Sequence, residues 1–181
     1  MITKPTVAVV SGRRTSMAKG AGGVRYSHAK PSNDYKDFRA YSHDWKKTYF
    51  DNETGGYVVT EKDRIPKDKM ADGKTKRPND NEIKVFRKEQ NMCKDLARTG
   101  HHIEHLNGEG KGKGNTYDIH FDGIPADLKS ISSANNLARY VKHALKEQGA
   151  KIVIIRTEKH ITGLHRMLKK LKERYDGRIM D

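Results

Sequence analysis

A chain of 181 residues, 34% hydrophobic and 33% charged, with a mean hydropathy of −0.94, has apolar material for one domain of ordinary size, so part of its length is expected to lie outside any core. No apolar run approaches the roughly 18 residues of a membrane span. The N-terminal M-I-T-K-P-T-V-A-V-V-S-G-R-R lacks a signal peptide's long apolar stretch, and the single Cys93 excludes an internal disulfide framework and a cysteine-based zinc cluster. The net charge of +14 points to a polyanionic partner; residues 1–80 hold 17 Lys and Arg against 10 Asp and Glu, the rest 20 against 13, so each part carries +7 and the charge is no mere basic tail.

Residues 1–35 mix Gly, Ser, Ala, Lys and Arg without apolar periodicity, and G-R-R-T-S-M-A-K-G-A-G-G reads as a flexible basic segment. Residues 36–80 read as a small aromatic-containing extension and a linker. Phe38, Tyr41, Trp45, Tyr49, Phe50 and Tyr57 supply an ordered element, with Glu53-Thr54-Gly55-Gly56 as the turn of a hairpin. Charge and turn residues from Pro66 to Asp80 mark the linker or an exposed loop.

From 81 to 181 the pattern is that of a compact domain. Asn79, Asp80 or Asn81 can cap a helix that runs to Gly100. A short strand, H-H-I-E-H-L, and a Gly/Lys-rich loop, N-G-E-G-K-G-K-G-N, follow. Residues 116–131, T-Y-D-I-H-F-D-G-I-P-A-D-L-K-S-I, alternate about an Asp122-Gly123 turn and predict a β-hairpin. Ser132 or Ser133 can cap a second helix, A-N-N-L-A-R-Y-V-K-H-A-L-K-E-Q, closed by Gly149. K-I-V-I-I-R, 151–156, reads as a strand buried on both faces, and an amphipathic helix spans about 160–175. The expected fold is α/β: a mixed central sheet with an α-β-β-β-α-β core, a C-terminal helix and a basic N-terminal extension.

Successive side chains of a strand face opposite sides. Asp118, His120 and Asp122 therefore share one face of the first hairpin strand, and Asp127 and Lys129 lie side by side on the second. Two carboxylates and a lysine on adjacent strands make a hard-metal site beside a cation, the chemistry of phosphodiester cleavage. The plainer alternative is that Asp127 and Lys129 form an ion pair while Asp118 caps a turn. On the first helix, at about 100° per residue, Val85, Phe86, Met92, Cys93 and Leu96 fall within roughly 60° of Glu89. Glu89 thus sits in the apolar stripe, where a lone carboxylate is strongly disfavoured without a partner or a metal; Glu82 lies on the same stripe near its fraying end. Glu89, Asp118, Asp127 and the carbonyl of Leu128 are candidate ligands for Mg²⁺ or Mn²⁺, with Zn²⁺ also compatible. Lys129 would stabilise charge developing on phosphorus or position the attacking water.

The α-β-β-β-α-β order, Glu89 on the first helix, Asp118 on the second strand and Asp127-Leu128-Lys129 on the third resemble the PD-(D/E)XK, or restriction-endonuclease-like, nuclease superfamily. Within it, residues 82–158 are most similar to the C-terminal tRNA-nuclease domains of contact-dependent growth inhibition toxins and related polymorphic toxins. Ser133-Ala134-Asn135-Asn136 and Gln148 match that group's polar helix start and helix-end glutamine. Tyr117 stands where the superfamily name has Pro, and the resemblance covers well under half of the chain. It implies a metal-dependent endonuclease with tRNA as favoured substrate and DNA as the alternative. It also implies a contribution of Gln148 to the site, action in the cytoplasm after delivery from another cell or a mobile element, and an acidic immunity protein as inhibitor.

Gln148 falls on the apolar side of its helix with Leu137, Val141 and Leu145, where a simple end-of-helix polar role is equally open. Asn135, Asn136 and Arg139, near that helix's N-terminus, are candidates for gripping substrate phosphate, and Lys111 and Lys113 of the glycine loop for touching a nucleic-acid backbone. Among the histidines, His120 shares the face of Asp118 and is a possible neighbour of the metal; the others read as exposed or strand-filling. Three alternatives stay open: a metal-independent ribonuclease of the barnase/EndoU/colicin-like kind, which would leave Glu89 unexplained; a DNA-cleaving nuclease; and a non-catalytic basic nucleic-acid-binding module.

Overall fold

A computed structural model describes residues 6–11, 31–71, 74–108, 116–157, 160–175 and 178–180. In chain order the elements are β1 (Thr6–Ser11), α1 (Pro31–Ala40), β2 (Trp45–Phe50), β3 (Tyr57–Glu61), β4 (Lys69–Ala71), β5 (Lys74–Lys76), α2 (Asp80–Ala97), β6 (His102–His105), β7 (Ile119–Phe121), β8 (Ile124–Ile131), α3 (Leu137–Lys146), β9 (Ile152–Thr157), α4 (Leu164–Tyr175) and β10 (Arg178–Met180). The fold is α/β, with both parallel and antiparallel strand pairs and four helices among the described residues. The chain divides into two compact units: residues 1–27, 108–118 and 124–181, and residues 28–107 and 119–123.

In the first unit β9 runs parallel to β8 on one side and to β1 on the other, and β1 pairs with β10. A strand with neighbours on both sides has its backbone groups satisfied by the ladder. The four residues Ile152–Ile155 are accordingly all buried, as the apolar run predicts. Val153 and Ile155 join Leu137, Val141, Ala144, Leu168 and Leu171 in one core, so α3 and α4 are held by their apolar faces. Two expectations change here. Residues 6–11, read as part of a flexible segment, form β1, because six residues rich in valine find a partner in β9, far away in sequence. The second helix begins at Leu137 after Asn136, which makes no side-chain cap, and neither Ser132 nor Ser133 caps it.

In the second unit β2 and β3 are antiparallel, β3 and β6 parallel, and β6 and β7 antiparallel. Phe38, Tyr57 and Val59 form a small core with Tyr41, Trp45 and Phe50, which is where the aromatic density of the sequence goes. The first long helix starts in a capping box: Asn79 accepts from the Glu82 N–H, and the Glu82 side chain accepts from the Asn79 N–H. Val85, placed by periodicity in the buried stripe, is instead 41% exposed. Gly56 lies so close to α2 that a Cβ there would stand 1.9 Å from the Ala97 carbonyl oxygen. The stretch read as a linker carries the β4–β5 pair, with Lys69 opposite Lys76. β6 pairs with β3 and β1 with β9 across sequence gaps that local composition does not show. Asp122 and Gly123 both have positive φ, 49° and 78°, as the expected two-residue turn requires.

Candidate functional site

The first unit brings together Asp118, Asp127, Lys129 and Gln148. Asp127 lies on β8 opposite Val153 of β9, and its side chain is wholly buried. Two residues on, Lys129 points the same way and sets its ammonium 2.5 Å from Asp127 Oδ2. Apart from that ammonium contact and the neighbouring Asp118, the two buried Asp127 oxygens have no hydrogen-bond partner. Asp118 approaches from the segment before β7 and accepts a 2.8 Å hydrogen bond from the Leu128 N–H through Oδ2. Leu128, expected to contribute its carbonyl, is thus fixed to Asp118 through its amide.

Gln148 lies beyond the end of α3 rather than within it. Its Nε2 donates to the Thr116 carbonyl at 3.2 Å, its own carbonyl accepts from the Thr116 N–H at 3.2 Å, and its Oε1 lies 3.4 Å from the Lys129 ammonium. Gln148 therefore ties the segment before Asp118 to the lysine, and helix periodicity, which placed it on the apolar face, reaches the same neighbourhood by a different geometry.

Burial and the neighbouring Asp118 carboxylate push the Asp127 carboxyl up to about 7, against the opposing pull of Lys129. A carboxylate that holds a proton this tightly is short of positive charge. Its oxygens, beside a second carboxylate and the Lys129 ammonium, are hard donors of the kind a divalent cation takes, and Mg²⁺ readily completes such a pair with water and phosphate oxygens. The donor set therefore fits the implied metal. Among the described residues no three His, Cys, Asp or Glu side chains stand together as a metal-holding group, so the pair rather than a full triad is what the first unit offers.

Glu89 belongs to the second unit. Its carboxylate takes the Arg64 guanidinium and the Nε2 of His105, the latter at 3.0 Å. Burial works to raise its pKa, but the hydrogen bond from His105 and the charge of Arg64 outweigh it and hold the carboxyl below its usual range. The partner that the apolar stripe demands is thus supplied by Arg64 and His105, and the burial of Glu89 by itself no longer argues for a metal. His120, also of the second unit, sets Nδ1 2.6 Å from Glu104, whose other oxygen accepts from the Tyr41 hydroxyl at 2.6 Å.

The remaining candidates are not gathered into a site. Asn135 and Asn136 are exposed and precede the first turn of α3, and Arg139 lies with its guanidinium 5.4 Å from the Tyr140 ring centre. Lys111 and Lys113 lie outside the described residues. Sequence reasoning missed the role of His105, which is 0% exposed, of its hydrogen-bond partner Gln90, and of Thr60, which accepts from Gln90. The signal was present: alternation along H-H-I-E-H-L puts His105 on the face of Ile103, the buried one. No family model matches the chain, and no curated protein and no solved structure matches it either.

Proposed function

We propose that the protein is a metal-dependent endonuclease of the PD-(D/E)XK kind, a toxin-type nuclease that hydrolyses phosphodiester bonds of tRNA in the cytoplasm of a target cell. The observation that carries the reading is the wholly buried Asp127 carboxyl, set between Asp118 and the Lys129 ammonium and pushed up to about 7. Asp118 and Asp127 would hold Mg²⁺ or Mn²⁺; such an ion lowers the pKa of a bound water and polarises the scissile phosphate. Lys129, 20% exposed and steadied by Gln148, can turn its ammonium from Asp127 to the phosphate and offset the charge that develops there. Glu89 as a further ligand, the carbonyl of Leu128, tRNA as substrate and an acidic immunity protein enter through the resemblance alone, and the +14 charge favours any nucleic acid without choosing between RNA and DNA.

One observation favours a second reading. The Tyr41–Glu104–His120 chain orients an imidazole against a carboxylate, as a metal-independent ribonuclease requires of its general base. Incubation of the protein with total tRNA and with plasmid DNA, in Mg²⁺, Mn²⁺, Zn²⁺ or EDTA, separates the readings. Loss of tRNA only with a divalent ion supports the first. Cleavage that survives EDTA and disappears in His120→Ala supports the second. Binding of both polymers without cleavage of either leaves a binding module.

A further inference from the structure

The second unit contains a cavity of about 310 Å³, in the lower part of the range of small-molecule sites, roughly 300–1,000 Å³. Its lining is one-sided in charge. Lys46 of β2 and Arg87 and Lys94 of α2 line it, no carboxylate does, and none of the three has an ion pair among the described residues. Ile65 and Phe86 supply the apolar wall.

Gln90, 6% exposed, also lines the cavity and is held in place by the polar chain behind it. The Glu89 carboxylate can only accept, so His105 carries its proton on Nε2, 3.0 Å away. His105 Nδ1 lies 2.6 Å from the Gln90 amide, whose Nε2 also donates to Thr60 Oγ1 at 2.8 Å. The Thr60 hydroxyl passes its own hydrogen to Thr48 Oγ1 at 3.0 Å, and Thr48 donates to the Lys46 carbonyl at 3.1 Å. An apolar slot beside three cations that have no ion pair among the described residues asks for an occupant with a flat ring and with a phosphate.

We propose that this cavity binds one nucleoside phosphate, the base lodged against Ile65 and Phe86 beside Gln90, and the phosphate at Lys46, Arg87 and Lys94. All residues of this site belong to the second unit, those of the proposed Asp118–Asp127–Lys129 centre to the first. The same chemistry is met in a free nucleotide or in one unit of a single strand.

The test is calorimetric titration of the full chain with AMP, adenosine, ribose 5-phosphate and a 5′-phosphorylated tetranucleotide. AMP is expected to bind at least about tenfold more tightly than adenosine or ribose 5-phosphate, since each lacks half of the recognised group. The double substitution Arg87→Glu/Lys94→Glu, with its melting temperature unchanged, is expected to lose AMP binding at least about tenfold. A tetranucleotide that binds more tightly than AMP assigns the site to a strand; one that binds no more tightly assigns it to a free nucleotide. Ribose 5-phosphate as tight as AMP, AMP binding untouched by the double substitution, or no AMP binding at millimolar concentration overturns the proposal. No cleavage is measured, so this site and the cleavage centre fail independently.

Discussion

Asp127 is the residue at which the fold works against itself. Its carboxyl is pushed from 3.8 to about 7 by burial first and by Asp118 second. Between those values the folded chain holds a proton that the unfolded chain has released, so stability falls as pH rises through this window and the full penalty stands above it. In EDTA, Asp127→Asn is therefore expected to match the wild type near pH 4 and to exceed it by roughly 1–3 kcal/mol at pH 8 in denaturant unfolding. Mn²⁺ should raise the melting temperature of the wild type at pH 8 and leave that of the variant unmoved; a variant less stable than wild type at pH 8 contradicts the account. Glu89 has the opposite sign. Its pKa is lowered from 4.5, so its contribution is present above that value and lost as pH falls. Glu89→Gln removes the partner of Arg64 and His105 and is expected to destabilise the fold by about 2 kcal/mol at neutral pH. The same substitution at pH 3 should have a much smaller effect, and equal effects at both pH values would mean that the ion pair does not form.

At the level of elements, the sequence was most legible where period and caps agreed. The helix expected from the Asn79–Asn81 cap to Gly100 is α2, Asp80–Ala97, and the apolar run at 151–156 is β9, Ile152–Thr157. It was least legible where a long-range pairing decides. The short β1 has no local signal beyond its valines, and the start of α3 moved because Asn136, not a serine, precedes the first turn. The candidate site divides in the same way: Asp127 and Lys129 follow from strand alternation alone, whereas the environment of Glu89 depends on His105 and Arg64, 16 and 25 residues away. The approach of β3 to α2 at Gly56 is a property of this scale. Gly56→Ala sets a methyl group against the Ala97 carbonyl and is expected to cost about 1–3 kcal/mol, or several degrees in a thermal melt. An unchanged melting temperature would show that this helix–strand contact is looser than described.

The whole molecule is a basic chain whose charge is shared by both halves, a charge that suits a polyanion without saying what is done to it. On the proposed function the Asp118–Asp127–Lys129 group carries the reaction, so affinity and cleavage should separate under substitution. Asp127 and Lys129 are two charges of opposite sign, and replacing both leaves the net charge at +14. The most direct measurement is the initial rate of tRNA cleavage as a function of Mn²⁺ concentration, for the wild type and for Asp127→Ala/Lys129→Ala, beside the tRNA affinity of each in EDTA. The account predicts a saturable metal dependence in the wild type, a rate at least about 100-fold lower in the variant, and affinities within about threefold of each other. Undiminished cleavage in the variant, or full cleavage by the wild type in EDTA, would contradict it.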